Sequence, residues 1–175
     1  ITTLGHDGIA LIIISLVLML FKKTRKAGSA MLTGIIVGAL FTNLTIKPLV
    51  SRPRPYTHLD SPVYQWWLNA GAQVESDRSF PSGHTTSAMA MVTGLFCVTN
   101  KKVSWVAFLF AVLMGMSRIY LCVHYPTDVI GGLIIGAIGG IIGGLLVNWF
   151  YKHDEHKLNK AYINFSFANL SKKKA

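Results

Sequence analysis

The stretch VIGGLIIGAIGGIIGGLLVNWFY, residues 129–151, contains no charged side chain. About 20 helical residues cross a bilayer core that is about 30 Å thick, so this stretch predicts a membrane-spanning helix. The chain is 51% hydrophobic and only 14% charged, whereas charged residues make up about 25% of a typical soluble domain. The composition therefore favours an integral membrane protein.

Four further apolar runs extend this prediction to a bundle. They cover residues 8–21, 28–46, 81–99 and 103–121. The first run is too short to cross a bilayer alone, so its span borrows from residues 1–7, and a signal peptide is the rival interpretation of that run. The predicted fold class is all-α, a multi-pass transmembrane helical bundle with five spans in this chain. We expect a sixth span, upstream of Ile1, in the full protein.

Basic residues between alternate runs set the expected topology. They form three groups: Lys22, Lys23, Arg25 and Lys26; Lys101 and Lys102; and Lys152 with the lysines of the tail. Lysine and arginine near span ends stay on the cytoplasmic side. We therefore predict a transmembrane domain over residues 1–151 with an outer loop over residues 47–80, and a cytoplasmic basic tail over residues 152–175. The net charge of +10 then reflects topology, and we expect no nucleic-acid partner.

Small residues mark the faces on which the helices pack. Glycines lie four apart along one side of the last run, at positions Gly132, Gly136, Gly140 and Gly144. Small residues at this spacing let two helix backbones approach closely. Packing within the bundle is the preferred interpretation. A dimer seam is the alternative, so the oligomeric state stays open.

Three polar clusters lie at the outer ends of the apolar runs. Their members are Lys47 and Arg54; Pro81, Ser82, Gly83 and His84; and Arg118, His124 and Asp128. Charged groups at membrane depth are costly and normally have a partner or a task. Three cations here face a single carboxylate, so the clusters favour an anion.

Phosphate suits the side chains and the backbone of these clusters. The two arginines can each grip two phosphate oxygens, and the lysine supplies a compact charge. Pro81 favours the first turn of a helix, which leaves the N–H groups of Ser82, Gly83 and His84 open to an anion. Gly83 also lets a phosphate approach the backbone closely.

The two histidines and the aspartate point to nucleophilic chemistry. His124 and Asp128 are four residues apart, the spacing of one helical face, although Pro126 suggests that a helix starts between them. A carboxylate on one ring nitrogen frees the other nitrogen to attack, and His84 could donate a proton to the leaving oxygen. A zinc site built from these three residues is the competing interpretation, but the neighbouring cations would repel the metal.

Together the clusters resemble the three signature motifs of the type 2 phosphatidic acid phosphatase family. The matching motifs are Lys47-x6-Arg54-Pro55, Pro81-Ser82-Gly83-His84 and Ser117-Arg118-x5-His124-x3-Asp128, in the family's order. The resemblance covers residues 28–151. It implies that His124 becomes a phosphohistidine and that His84 is the acid. It further implies that no metal or cofactor is needed and that the phosphoryl group is held by Lys47, Arg54, Ser82, Gly83 and Arg118.

We therefore expect an integral membrane lipid phosphatase whose partners are the bilayer and a lipid phosphate. The compact chain and brief loops are typical of a bacterial protein, placed in the inner (cytoplasmic) membrane with its site facing outward. Undecaprenyl diphosphate is the preferred substrate, because recycling that carrier needs an outward-facing site. Phosphatidylglycerol phosphate and phosphatidic acid are the other candidates. The alternative is a protein of the same fold that binds or translocates a lipid phosphate without hydrolysing it.

Overall fold

The computed structural model describes residues 8–99, 101–153 and 162–163. Within these ranges the chain is helical and contains no strand, which confirms the predicted all-α class. The described part contains seven α-helices: α1 Ile9–Leu20, α2 Arg25–Ala39, α3 Lys47–Val50, α4 Pro62–Asn69, α5 Gly83–Phe96, α6 Lys101–Tyr120 and α7 Pro126–Lys152. A π-helix, Leu40–Ile46, joins α2 to α3, and a 3-10 turn, Pro55–Thr57, precedes α4.

Two helical segments are long and apolar enough to cross a membrane, Arg25–Thr57 and Pro126–Lys152. Shorter apolar helices cover Ile9–Leu20 and Ser104–Tyr120. The described chain is therefore consistent with a helical membrane protein, and the count of five spans stays a prediction. Residues 1–7 and most of the predicted tail, 152–175, lie outside the described residues.

The outward side of α7 is apolar and uncovered. Ile130, Ile134 and Ile138 lie four apart along it, and each is about half exposed, at 55%, 57% and 46%. Soluble monomers rarely expose so continuous an apolar surface, whereas lipid tails would cover it. This face supports a location in the membrane.

The other sides of α7 pack against α5 and α2 through glycine. A Cβ added at Gly136 would lie 2.5 Å from the carbonyl oxygen of Thr86 on α5. One added at Gly139 would lie 2.8 Å from the Cα of Gly38 on α2. No side chain fits at such distances, so the helices touch backbone to backbone. The prediction that the glycine stripe packs within the bundle is confirmed.

The π-helix that follows α2 was not predicted, and Pro48 explains it. Proline has no N–H to donate to the carbonyl of Leu44 four residues earlier, and its ring clashes with that carbonyl. A regular α-helix therefore cannot pass through this point, and a wider turn replaces it. The backbone leaves the helix at Ser51, where φ is 46°. The side chain of Lys47 is left almost fully buried, with 7% exposure.

One end of the bundle collects all three polar clusters. The segment α2 to α3 and helix α6 end there, and α5 and α7 begin there. The turn between α1 and α2, which carries Lys22 and Lys23, lies at the opposite end of α2. The basic residues between alternate apolar runs, from which the topology is predicted, are consistent with this arrangement. Which end faces the cytoplasm stays a prediction.

Candidate active site

A cavity of about 270 Å³ lies between the π-helix, the start of α5 and the loops before α5 and α7. Five of the eight predicted site residues line it: Lys47, Arg54, Gly83, His84 and His124. The other three, Ser82, Arg118 and Asp128, do not. Each of the three clusters therefore contributes at least one residue to the wall of one cavity.

Arg54 links the cationic part of the site to the histidine. Its side chain is buried, with 4% exposure. Nη1 donates to the carbonyl oxygen of Val123 at 2.9 Å and lies 3.2 Å from Nε2 of His124. Nε donates to the carbonyl oxygen of Asp77 at 3.0 Å. The prolines on both sides of Arg54 restrict its backbone, so the guanidinium is held firmly beside the imidazole.

The contact with Arg54 assigns the tautomer of His124. An arginine N–H can only donate, so Nε2 accepts and the ring proton of the neutral imidazole is on Nδ1. Burial lowers the pKa of His124; Asp128 opposes this shift through hydrogen bonding and charge, while Arg54 and Arg118 add to it. At neutral pH the imidazole is therefore uncharged, and the lone pair on Nε2 lies at the cavity, where it accepts the hydrogen bond from Arg54.

Asp128 meets His124 in a way that differs from the expected helical face. Helix α7 begins at Pro126, so His124 precedes the helix. The carboxylate of Asp128 turns back over the helix start, where it accepts a hydrogen bond from the N–H of Tyr125 at 2.9 Å. Its Oδ2 lies 3.4 Å from Nδ1 of His124, which is too long for a strong hydrogen bond. The two side chains lie close together, and the helix start suggested by Pro126 is confirmed. The shared helical face is wrong, because His124 lies before the helix.

The start of α5 corrects one detail of the predicted phosphate site. Pro81 and Ser82 precede the helix, and Ser82 is its N-cap. The N–H of Ser82 donates to the carbonyl oxygen of Asp128 at 3.0 Å, so it is not open to an anion as predicted. A Cβ added at Gly83 would lie 3.5 Å from Nζ of Lys47, an ordinary contact distance, so the close approach of a phosphate to this backbone stays a prediction. The ammonium group thus lies directly over the Gly83 backbone.

Two residues around Asp128 were missed. Nη1 of Arg52 donates to Oδ1 of Asp128 at 2.8 Å, and the hydroxyl of Ser79 donates to Oδ2 at 2.5 Å. The guanidinium of Arg52 also lies over the ring of Tyr125, 3.9 Å from its centroid. The sequence contains a signal for Arg52, because Arg52-Pro53 repeats Arg54-Pro55. Only Arg54, however, has the motif spacing from Lys47.

Two acidic residues of the outer loop were also missed. Asp77 forms ion pairs with both Lys47 and Arg54, and Glu75 pairs with Arg118. Burial raises the pKa of Asp77, but hydrogen bonds and charges from Lys47 and Arg54 outweigh it and hold the pKa below its usual value. The cations counted from the sequence as facing one carboxylate therefore face three.

Arg118 is, with Ser82, one of two fully buried residues among the predicted phosphate ligands. Its guanidinium forms an ion pair with Glu75, which lines the cavity. Within the described part of the chain, its Nε and Nη1 atoms have no hydrogen-bond partner. Arg118 therefore keeps unused donors close to the cavity.

The histidines and carboxylates do not assemble into a metal site in the residues that the structure describes, where no group of three His, Cys, Asp or Glu side chains could hold an ion. His124 and Asp128 are close together, but the atom that faces Nε2 belongs to Arg54. The positive guanidinium beside Nε2 would repel a zinc ion bound there. This arrangement favours an anion over the competing zinc interpretation.

The sequence model of the PAP2 superfamily matches residues 27–154, a range that contains the whole site. The chain belongs to this superfamily. The family resemblance of the three motifs is thereby confirmed.

Several curated relatives of the chain are named as lipid phosphatases. The chain is 33% identical to the undecaprenyl-diphosphatase BcrC of Bacillus subtilis over 135 residues, which is 77% of this chain and 66% of that protein. It is 30% identical to a lipid A 4'-phosphatase of Bacteroides thetaiotaomicron over 66% of this chain and 48% of that protein. It is 42% identical to phosphatidylglycerophosphatase B of Bacillus subtilis over 37% of this chain and 36% of that protein.

The chain spans about half to two thirds of the length of its first curated relatives. No solved structure matches it.

Proposed function

We propose that this PAP2 protein is an integral membrane phosphatase that hydrolyses a lipid phosphate or diphosphate. The observation that carries the proposal is the position of Nε2 of His124, which lies 3.2 Å from the Arg54 guanidinium in a cavity also lined by Lys47 and His84. A nucleophilic lone pair, two cations and a second histidine thus share one cavity. The names of the relatives support the same reaction class.

The reaction proceeds in two displacements. When a phosphoryl group enters, Arg54 transfers its Nη1 hydrogen bond from Nε2 of His124 to a phosphoryl oxygen. Nε2 then attacks the phosphorus atom, the bond from phosphorus to the leaving oxygen breaks, and His84 gives that oxygen a proton. The Nδ1 proton of His124 stays in place, and Asp128 stabilises the positive ring. Water, deprotonated by His84, then attacks the phosphohistidine and releases inorganic phosphate. Lys47 and Arg54 balance the charge of the phosphoryl oxygens, the part that a metal ion plays in other phosphatases.

Undecaprenyl diphosphate is the preferred substrate of this proposal. Two of the relatives are named as undecaprenyl-diphosphatases and cover 77% and 71% of this chain. We further propose that the protein lies in a bacterial cytoplasmic membrane with the cavity facing outward. Phosphatidylglycerol phosphate, phosphatidic acid and lipid A phosphates remain competing substrates.

Phosphate release from a panel of these lipids, measured with the purified full chain in detergent, tests the proposal. The parent protein should release phosphate, and His124→Ala should not. His153→Ala is the matched control, because His153 is exposed at the far end of α7, and it should keep the parent rate. Acid-labile phosphate trapped on the parent but absent from His124→Ala would identify the intermediate. Equal turnover by parent and His124→Ala would refute the assignment.

A further inference from the structure

We propose that Glu75 and Asp77 form an internal anion that occupies the phosphoryl site of the resting protein and makes the site selective for terminal phosphates over phosphodiesters. The inference rests on the proposed function, because it concerns how the same site chooses its ligand. Neither residue belongs to the three motifs, and both come from the segment just before α5.

Three predicted phosphate-binding cations are already paired in the structure. Asp77 contacts Lys47 and Arg54 together, and Glu75 contacts Arg118. A carboxylate offers a guanidinium the same kind of charged oxygens that a phosphate offers. The carboxylates therefore hold the donors that a phosphoryl group needs. A phosphoryl group reaching His124 has to take those donors from them.

The segment that carries Glu75 is anchored by aromatic residues of the outer loop. Trp67 donates through Nε1 to the carbonyl oxygen of Gln73 at 2.8 Å and stacks on Tyr56, with ring centroids 4.7 Å apart. The N–H of Glu75 donates to the hydroxyl oxygen of Tyr56 at 3.1 Å. The backbone of Glu75 is therefore fixed at the cavity, and only its side chain has to move when a ligand enters.

The segment is anchored again on the other side of Asp77. The carbonyl oxygen of Asp77 accepts a hydrogen bond from Nε of Arg54 at 3.0 Å. Two residues later, the N–H of Ser79 donates to the carbonyl oxygen of Arg52 at 3.0 Å. The side chain of Asp77 is 47% exposed, so it can rotate towards solvent while its backbone stays bound.

Competition by a tethered carboxylate discriminates ligands by charge. A terminal phosphate carries about −1.5 to −2 at pH 7, whereas a phosphodiester carries a single negative charge. Groups tethered beside a site act at a high effective concentration, which matters in a membrane where phosphodiester headgroups are abundant. A singly charged diester gains too little from the cations to displace both carboxylates. A terminal phosphate gains more and displaces them.

Arg118 favours displacement by a phosphate. It is fully buried, and two of its nitrogens, Nε and Nη1, have no hydrogen-bond partner in the ranges that the structure describes. A phosphoryl group that replaces Glu75 has more oxygens than a carboxylate and can satisfy these donors. Buried donors without a partner cost stability. Replacing Glu75 by a phosphoryl group therefore gains hydrogen bonds to Arg118 that Glu75 does not make.

The experiment compares Asp77→Asn and Glu75→Gln with the parent chain, with Asp60→Asn as matched control. Asp60 is an exposed acid of the same outer loop. Binding of inorganic phosphate and of vanadate is measured by thermal-shift titration of the full chain in detergent. Turnover of a lipid phosphate is measured in micelles with and without added phosphatidylglycerol, a phosphodiester.

We expect Asp77→Asn to bind phosphate about tenfold more tightly than the parent, because one competing charged hydrogen-bond acceptor is gone. The same variant should become sensitive to phosphatidylglycerol, which should leave the parent and Asp60→Asn unaffected. Asp77→Glu restores the charge and should return phosphate binding towards the parent value. A purely structural role for Asp77 would not predict this rescue.

The outcomes separate this inference from the proposed function. Phosphate affinity that is unchanged or weaker in both Asp77→Asn and Glu75→Gln, in a parent that turns over lipid phosphate, would overturn the inference alone. Tighter phosphate binding by the variants, with no hydrolysis by any protein, would support the internal anion and overturn the phosphatase. Absence of phosphate binding by all the proteins would overturn both.

Discussion

Replacing Arg52 by glutamine should slow the reaction without weakening substrate binding, and the acidic limb of the pH profile should move to higher pH. Arg52 does not line the cavity, so it has no direct contact to lose with the substrate. It holds Oδ1 of Asp128 at 2.8 Å and Oγ1 of Thr127 at 2.7 Å. Its effect on the reaction must therefore pass through Asp128 to His124.

The size of the effect follows from these contacts. A hydrogen bond between charged groups contributes about 1.5–3 kcal/mol, and partial exposure reduces that value. The side chain of Arg52 is 34% exposed while that of Asp128 is fully buried, so we expect a cost of about 1–2 kcal/mol. Such a cost corresponds to a fall in kcat of about 5- to 30-fold. The KM should change little.

The direction of the pH shift follows from charge. The active form of His124 is neutral, and burial together with nearby arginines lowers its pKa. Removing the Arg52 charge leaves the Asp128 carboxylate less compensated, which favours the protonated imidazole and raises its pKa. The variant should therefore lose most activity at low pH and recover part of it as the pH rises.

The assay is the initial rate of phosphate release between pH 5 and 9, a range chosen to bracket the reference histidine pKa of about 6.5. Arg78→Gln is the control, because Arg78 is an exposed arginine of the same loop, and Arg52→Lys should recover part of the rate. The reasoning is refuted if Arg52→Gln leaves kcat at the parent value. It is also refuted if kcat falls equally at every pH.

Three further predictions address the carboxylate, the metal requirement and the topology. Asp128→Asn should lower kcat by about 10⁴-fold, as in serine-protease triads. The amide nitrogen would replace a carboxylate oxygen that accepts hydrogen bonds from the neighbouring donors. Phosphate release within tenfold of the parent rate would contradict this prediction. Turnover should survive excess chelator and be inhibited by vanadate, and loss in chelator that zinc or magnesium restores would revive a metal-dependent mechanism. In a background lacking Cys97 and Cys122, a cysteine at Ser61 should react with an impermeant thiol reagent in intact cells, whereas one at Lys23 should react only after permeabilisation; the reverse pattern would place the cavity in the cytoplasm.

The site residues that could be predicted from the sequence are those at the ends of helices. Lys47 starts α3, Gly83 and His84 start α5, and His124 precedes α7. Antiparallel neighbours bring alternate helix ends together, so clusters found at these ends meet in space. The glycine spacing of α7 was equally informative, because close backbone contact needs small residues on both helices.

The parts that could not be predicted depend on the long segment between α3 and α5. Glu75 and Asp77 lie in irregular backbone without a period, so no spacing rule connects them to Arg118 or Lys47. The amide of Ser82 was misjudged for a related reason. Its N–H donates to the carbonyl oxygen of Asp128, 46 residues away. The general rule that the first N–H groups of a helix lack partners cannot foresee such a distant acceptor.

The close packing of α5 on α7 also sets the geometry of the site. Gly132 lies one turn after Asp128 on α7, and a Cβ there would lie 2.8 Å from the carbonyl oxygen of Ser82. This contact brings the two helix starts close enough for the N–H of Ser82 to donate to the carbonyl of Asp128. Ser79, three residues before Ser82, then reaches the Asp128 carboxylate at 2.5 Å. The glycines that let the helices associate thus also position the carboxylate behind the nucleophile.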